Sequence, residues 1–381
     1  MKKKARNIKI ASICPGSGYI NRGAERTIEQ VEKSLTKKGH IIDIYGSGNL
    51  RGLKRHDPFT ITWGNILEKT KLIYLISYIP LPIDEWSSAS FWFFVHILFN
   101  RKKYDLLWIH TGYSGVFYAR IFRFLFKLPF VVTCHCGGKT EISNFIMKPN
   151  GMVTQEPFTY ELLKRQSKDI IIAFIPSGVD TKIFTSSGSK FSFKELERMA
   201  HKPKRKIERP IILSTTAHVK HKRIDLLIKA AAKMKKGTLI LTSDGDQKDY
   251  LLKLGEELLG NRFLYVGILS NEALAKLYRT CDVFSLPSGY EPFGLVLLEA
   301  MASGKPVVTQ DDKIRRWVVG NSGILLDLTD INEYAKAIEK AYRQKWGNRP
   351  RRQAEKFSWD KAAQKYEKFF LRVINQWKKC Q

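Results

Sequence analysis

Short apolar runs alternate with amphipathic segments along most of the chain. The first five are Ile8–Cys14, Ile41–Tyr45, Leu106–His110, Phe130–Cys134 and Ile170–Ile175. After a break, five more follow: Ile211–Thr215, Thr238–Thr242, Phe263–Val266, Val283–Pro287 and Pro306–Thr309. Continuous apolar runs of this length are typical of buried parallel strands, and helical segments between them are typical of crossover connections. The pattern predicts an α/β protein with two doubly wound parallel sheets.

The break between the two sets lies near Pro176, where a strand-like run ends in a turn containing Pro and Gly. We therefore predict a first domain over 1–176 and a second over 177–361. The last segment carries apolar residues at helical spacing, among them Tyr366, Phe370 and Val373. It predicts a crossover helix over about 362–381 that packs back on the first domain.

Composition narrows the class of protein. The 381 residues are 44% hydrophobic and 12% aromatic, which excludes global disorder. The net charge of +29 indicates an anionic partner such as a membrane surface, nucleic acid or phosphorylated substrate. The basic excess is spread over both halves and no zinc-finger or ribonucleoprotein motif accompanies it, which argues against nucleic acid.

Cysteine usage and the longest uncharged run bear on location. Five cysteines, an odd number scattered through apolar contexts, predict a reduced cytoplasmic protein. Cys134, His135 and Cys136 could ligate a metal, but no second cluster completes a tetrahedral site, so we predict none. The run Trp86–Asn100 is shorter than the roughly 20 residues that a spanning helix needs.

The stretch Pro287–Pro306 joins a predicted strand, a tight turn and a helix around two carboxylates, Glu291 and Glu299. At about 1.5 Å per residue, Glu299 lies roughly 8 Å along the helix axis from its start, so a diphosphate fits between the two carboxylates. Each carboxylate can accept hydrogen bonds from a vicinal diol. The first helical amides and the positive end of the helix dipole form an anion site; these amides belong to Phe293, Gly294, Leu295 and Val296. The alternative is a solvated turn glutamate and an ordinary helix-face charge.

This stretch resembles the Glu-x7-Glu signature of retaining glycosyltransferases of the family 4 type. That family has the GT-B fold, in which two Rossmann-like domains face each other across a cleft. Other segments resemble the family in the order it requires: Gly23–Arg26, Val131–His135, Ile175–Asp180, Lys222–Ala230 and Phe357–Trp359. The resemblance therefore spans nearly the whole chain.

The resemblance implies transfer of a sugar from a nucleoside diphosphate sugar, with retained anomeric configuration and without a required metal or other cofactor. It assigns catalytic roles to His135 beside the donor sugar, Lys222 on the diphosphate and Glu291 on the sugar hydroxyls. Glu299 would bind the ribose, and Gly23 would let the first loop approach the phosphates. The remaining donor contacts that it implies are Phe293, Gly294, Leu295, Gly267 and Ile268, the last two beside the base.

Two positions depart from the family pattern. Ala217 stands where many members carry an arginine, so His218, His221 or Arg223 would have to supply that charge. Arg22 stands where the first loop usually has a glycine.

The acceptor side is suggested by a basic, aromatic-rich helix in the first domain. Arg120, Arg123 and Lys127 fall on one stripe of this predicted helix, whereas Phe117, Ile121 and Leu125 are expected to face the core. The pattern is typical of interfacial membrane helices, and equally of a helix that covers a sheet and has a solvated basic edge. We hypothesise that the first domain docks on anionic lipid at the inner face of the cell membrane and glycosylates a lipid-linked or membrane-surface glycan.

Two other functions fit the same architecture. A GT-B phosphorylase or nucleotide-sugar epimerase would use inorganic phosphate, or would epimerise the free nucleotide sugar without an acceptor. A basic binding protein on a degenerate transferase fold would show salt-dependent RNA binding and no nucleotide-sugar binding.

Overall fold

The computed structural model describes residues 7–17, 23–46, 85–110, 113–135, 144–155, 157–167 and 169–381. Arg22 and Cys136 lie outside these ranges. The chain divides into two compact units, which we call unit 1 (Met1–Ser177 with Trp359–Gln381) and unit 2 (Gly178–Ser358). Within the described ranges, no helix combines the length and apolar character needed to cross a membrane.

Each unit is built on a six-stranded parallel sheet. Unit 1 has the strand order β2-β1-β3-β4-β5-β6, and unit 2 has the order β12-β11-β10-β7-β8-β9. The strands are β1 Lys9–Ile13, β2 Ile41–Tyr45, β3 Leu106–Ile109, β4 Phe130–Thr133, β5 Gly151–Thr154, β6 Ile171–Phe174, β7 Ile211–Ser214, β8 Thr238–Leu241, β9 Phe263–Tyr265, β10 Val283–Leu286, β11 Val307–Gln310 and β12 Gly323–Leu326.

Helices connect the strands in both units. Those described are α1 Gly23–Thr36, α2 Glu85–Asn100, α3 Tyr113–Phe126, α4 Pro157–Gln166, α5 Phe193–Met199, α6 Ile224–Lys233, α7 Lys248–Leu259, α8 Asn271–Thr280, α9 Leu295–Ala302, α10 Lys313–Val319, α11 Ile331–Arg343, α12 Arg349–Ala354 and α13 Trp359–Lys379. Short 3₁₀ turns occupy Arg101–Lys103, Lys220–Lys222 and Gly260–Arg262.

The ten apolar runs predicted as strands all form strands, and the prediction of parallel α/β sheets is confirmed. Two strands were missed, β5 and β12. Both begin with glycine, a residue that is depleted in strands and weakens the strand signal. Their pairing along β4 and β11 completes each sheet.

The last helix, α13, belongs to unit 1. Its buried side includes Tyr366 and Phe370, whose rings lie 5.3 and 5.0 Å from the Trp108 ring of β3. Phe369 packs so closely over β5 that a Cβ on Gly151 would lie 2.6 Å from its Cζ atom. A side chain at Gly151 would therefore push the helix off the sheet.

Helix α3 packs differently from the prediction. Its buried residues include Val116, Ala119 and Phe122, whereas Ile121 is 38% exposed and Leu125 is 58% exposed. The predicted core stripe was wrong because the helix carries aromatic and aliphatic residues on several of its faces. The face that packs against the sheet is the one that contains Val116, Ala119 and Phe122. Lys127 lies beyond the helix end, in a left-handed conformation with φ of 54°.

Candidate active site

An ion pair between Lys222 and Glu291 lies at the carboxyl end of the unit 2 sheet. Lys222 ends a 3₁₀ turn after β7, and Glu291 lies in the segment between β10 and α9. The lysine Nζ donates to Glu291 Oε2 at 2.6 Å, and the two side chains are only 15% and 12% exposed. The pair therefore lies at the end of a parallel sheet where ligands generally bind.

Glycine makes the turn into α9 possible. Gly294, the residue before the helix, has φ of 85°, in the left-handed region that glycine adopts most easily. A Cβ at this position would lie 2.9 Å from Leu297 Cδ1 and 3.4 Å from Glu291 Cγ. The glutamate side chain therefore lies against the helix start, where the first amides have no partner within the helix. Phe293 is buried, and its ring packs 5.9 Å from Trp317.

Glu299 is almost completely buried, at 3% exposure. Its Oε2 accepts a 3.0 Å hydrogen bond from the hydroxyl of Tyr278, and Thr215 Oγ1 lies 2.8 Å from the same hydroxyl. Sequence reasoning missed Tyr278, because a tyrosine on an amphipathic helix reads as an ordinary core residue. Its hydroxyl thus links helix α8 to one oxygen of the Glu299 carboxylate.

The predicted base-binding residues follow β9. Gly267 has φ of 69° with open space where a Cβ would be, and Ile268 is 76% exposed. Thr242 Oγ1 donates to the Gly267 carbonyl. This arrangement leaves an accessible apolar side chain beside an open backbone position.

The three residues considered in place of an arginine at 217 have different surroundings. His218 is fully buried, and burial lowers its pKa. His221 is exposed. Arg223 is partly buried, and its guanidinium donates to the Pro287 carbonyl at 3.0 Å. Arg223 therefore bonds to the turn that carries Glu291 through its side chain, whereas His221 does so through its backbone carbonyl, which accepts a 2.9 Å hydrogen bond from the Gly289 amide.

Unit 1 contributes a pair of histidines at adjacent strand ends. His135 follows β4 and His110 follows β3, and their rings stack with His110 Nδ1 2.8 Å from His135 Nε2. Burial lowers the pKa of His135 to about 4 and that of His110 well below its usual value. Both rings are neutral at pH 7, so one donates its N–H to the other. The sequence could have indicated His110, because it ends a neighbouring strand at the same sheet edge.

Gly23, the other predicted residue of unit 1, is the exposed first residue of α1. Its carbonyl accepts a 2.7 Å hydrogen bond from Thr27 Oγ1. Among the residues that the structure describes, no group of three or more His, Cys, Asp or Glu side chains is arranged to hold a metal ion.

Two family models match the chain. The model "Glycosyltransferase Family 4" matches residues 21–183, and the model "Glycosyl transferases group 1" matches residues 197–358. The second match contains Lys222, Glu291 and Glu299, and the first contains His135. Together the two matches cover most of both units.

Individual relatives match over shorter stretches. An uncharacterized glycosyltransferase of Methanocaldococcus jannaschii is 32% identical over 155 residues, which cover 37% of this chain and 40% of that protein. The lipopolysaccharide core biosynthesis glycosyltransferase LpsE of Rhizobium meliloti is 32% identical over 134 residues, 34% of this chain and 39% of that protein. The matched stretches thus span about two fifths of these relatives.

A solved structure matches the whole fold. Sucrose-phosphate synthase from Thermosynechococcus elongatus superposes with a TM-score of 0.73 at 21% identity, over 97% of this chain and all of that one. At this identity the likeness establishes the GT-B fold and nothing finer.

Proposed function

Because the chain belongs to glycosyltransferase family 4, the glycosyl transferases group 1, we propose that it transfers a hexose to an acceptor at an anionic membrane surface. Members of the family use a nucleotide sugar and retain the anomeric configuration. For this chain we further propose that the sugar is a hexose, that the acceptor and the enzyme meet at the cytoplasmic side of the membrane, and that individual residues have the roles given below.

The Lys222–Glu291 pair at the start of α9 carries the donor half of the proposal. A partly buried cation, a carboxylate and the first helix amides together can bind a diphosphate and the hydroxyls of its sugar. The departing nucleoside diphosphate gains negative charge in the transition state. Lys222 and the amides of Leu295 and Val296 stabilise that charge, and Glu291 accepts from the sugar hydroxyls.

Glu299 and His135 bind the donor through hydrogen bonds to its hydroxyl groups. Glu299, directed by the Tyr278 hydroxyl, accepts from the ribose diol. With a pKa of about 4, His135 is an uncharged imidazole at pH 7, so it exchanges a hydrogen bond with a sugar hydroxyl rather than acting as a cation. Retention in this scheme needs no protein nucleophile, and the leaving phosphate takes the acceptor proton.

Titration with UDP-, GDP- and ADP-hexoses tests the donor site. We expect one donor to bind equally well with and without EDTA, and its affinity to fall at least tenfold in Glu291→Ala and Glu299→Ala. Glu333→Ala is the matched control, because that carboxylate lies on an exposed face of α11 in the same unit. Failure of every donor to bind the wild-type protein would refute the proposed function.

The acceptor half rests on the surface of α3. Phe124 is 76% exposed and Leu125 is 58% exposed, beside the cations of Arg120, Arg123 and Lys127. We call these five residues the basic apolar face. Exposed aromatic and aliphatic side chains flanked by cations match the boundary between headgroups and acyl chains of an anionic bilayer.

A cavity of about 700 Å³ opens at the same place, between α3 and α13. Its lining combines the basic apolar face with side chains that include Ile171, Val373 and Trp377, and Asp169 is its acidic member. The Trp377 indole donates to the Lys127 carbonyl at 3.0 Å, which ties α13 to the end of α3. A cavity with apolar walls and a cationic rim suits an acyl chain whose phosphate stays at the rim.

Co-sedimentation with vesicles of phosphatidylglycerol and phosphatidylcholine tests this surface. We expect wild type to sediment at moderate salt, and Phe124→Ser with Leu125→Ser to lose at least half of the bound fraction. Leu258→Ser, an exposed apolar change in unit 2, is the control for the apolar part. Arg120→Glu should weaken binding more than Lys253→Glu, a change at another exposed cation. Absence of wild-type binding to these vesicles would refute the membrane acceptor and leave the donor site untouched.

A further inference from the structure

Two arginines from different elements hold the turn that carries Glu291. Residues 287–294 belong to neither β10 nor α9, so their polar backbone groups must find partners elsewhere. The Arg223 Nε donates to the Pro287 carbonyl at 3.0 Å, and the Arg315 Nη2 donates to the Ser288 carbonyl at 2.8 Å. Two consecutive carbonyls of the turn thus bond to two guanidinium groups.

Arg223 reaches the turn from a strained backbone. Its φ and ψ of 49° and 39° lie in the left-handed region, which is unfavourable for any residue with a Cβ. The guanidinium also donates to Gln310 Oε1 at 2.8 Å, so it links the turn to the end of β11. A Cβ on Gly289 would lie 3.2 Å from Arg223 Nε, which shows how closely the guanidinium packs on the turn.

Arg315 is held in place by an ion pair within its own helix region. The side chain is fully buried, and its Nη1 pairs with Asp312 Oδ2 at 2.5 Å. A buried guanidinium loses its hydration, which is costly unless its hydrogen bonds replace the lost water. The bond to Ser288 is one of these replacements, so moving the turn would leave a buried charge with fewer partners.

Backbone strain retained at a ligand site suggests a function for the residue that carries it. We infer that Arg223 and Arg315 are positioning residues, which fix the Pro287–Glu291 turn so that the Glu291 carboxylate and the first α9 amides meet the donor in one geometry. The inference rests on the proposed function, because the geometry matters only if this site turns over a nucleotide sugar. Preorganisation of this kind acts mainly on the turnover step.

Arg223→Gly separates this role from a structural one. Glycine relieves the strain while removing the clamp, so we expect the melting temperature to be maintained while turnover falls at least tenfold. Turnover is followed as hydrolysis of the UDP-, GDP- or ADP-hexose that wild type binds, and KM should change less than kcat. Lys204→Gly is the matched control. Lys204 is also a basic residue with a left-handed backbone conformation, with φ of 56°, but it is exposed and lies outside the turn. Its turnover should equal that of wild type.

A second variant distinguishes the clamp from direct contact with phosphate. Arg223→Lys keeps the charge and the strain but cannot make both directed bonds. If turnover stays low in this variant, Arg223 acts by positioning the turn. If lysine restores turnover, the positive charge alone is sufficient and the positioning role is refuted.

Hydrogen exchange in the absence of donor supplies a readout that does not need activity. The N–H groups of residues 288–291, 293 and 294 should exchange faster in Arg223→Gly than in wild type or Lys204→Gly. Unchanged exchange together with unchanged turnover would refute the clamp. If wild type binds no donor at all, the proposed function fails, and the exchange data still decide whether the clamp exists.

Discussion

The hydrogen bond from Tyr278 to Glu299 offers a direct test of the proposed role of this buried carboxylate in donor binding. Tyr278→Phe removes the hydroxyl that donates to a carboxylate only 3% exposed, at 3.0 Å. A hydrogen bond to a charged group contributes about 1.5–3 kcal/mol, and the cost of losing it is at the upper end when the charge stays buried. We expect the free energy of unfolding to fall by about 2 kcal/mol, or roughly 4–8 °C in melting temperature for a unit of this size.

Tyr334→Phe is the matched control. Tyr334 is also fully buried in unit 2, and its hydroxyl lies 2.6 Å from Ser285 Oγ, a neutral partner. Removing a neutral hydrogen bond costs about 0.5–1.5 kcal/mol. Chemical denaturation of both variants at pH 7 compares the two values, and unchanged m-values would show that the native states remain comparable.

Donor titration of the same two proteins connects stability to function. If Tyr278 directs Glu299 toward the ribose, Tyr278→Phe should raise the donor Kd about tenfold, which corresponds to roughly 1.4 kcal/mol. Tyr334→Phe should leave the Kd unchanged. Equal destabilisation by the two variants would contradict the charged hydrogen bond, and an unchanged Kd in Tyr278→Phe would contradict its role in directing Glu299.

Three further predictions concern charge and packing. Since burial lowers the pKa of His135 to about 4, only the unfolded chain takes up this proton between about pH 6.5 and 4. Stability should therefore decrease as the pH falls through that window, and His135→Asn should flatten the slope in urea titrations. Gly151→Ala should destabilise by about 1–3 kcal/mol, because its Cβ would meet Phe369; calorimetry measures this. Lys222→Met should lower the melting temperature and raise the donor Kd at least tenfold, because it leaves Glu291 without its 2.6 Å cation.

The parallel sheets and the turn into α9 could be predicted because their signals are local. Buried parallel strands need continuous apolar runs, and ten of the twelve described strands have them. The turn into α9 needs glycine at 294, and the helix ends where Gly304 has φ of 78°. Each of these requirements is met by residues that are adjacent in sequence, so these elements can be predicted from a single sequence.

The face of α3 could not be read in the same way. An apolar side chain occupies most positions of the helix, so several stripes have nearly equal hydrophobicity. Packing against the sheet chose the stripe of Val116, Ala119 and Phe122 and left Ile121 and Leu125 exposed. The strands β5 and β12 were missed because both begin with glycine, and their pairing with β4 and β11 is what identifies them as strands.

The sequence alone determined the two parallel sheets, the family and the identity of Glu291, Glu299, Lys222 and His135 as candidate residues, because periodicity and motif spacing are properties of the chain itself. Only the tertiary structure decided their partners. Tyr278, far from Glu299 in sequence, supplies a hydrogen bond to it. Contacts between distant segments likewise pair His135 with a second histidine and place two arginines on the Glu291 turn. Such partners depend on which strand ends and helix faces meet in the folded chain, and no local pattern encodes that meeting.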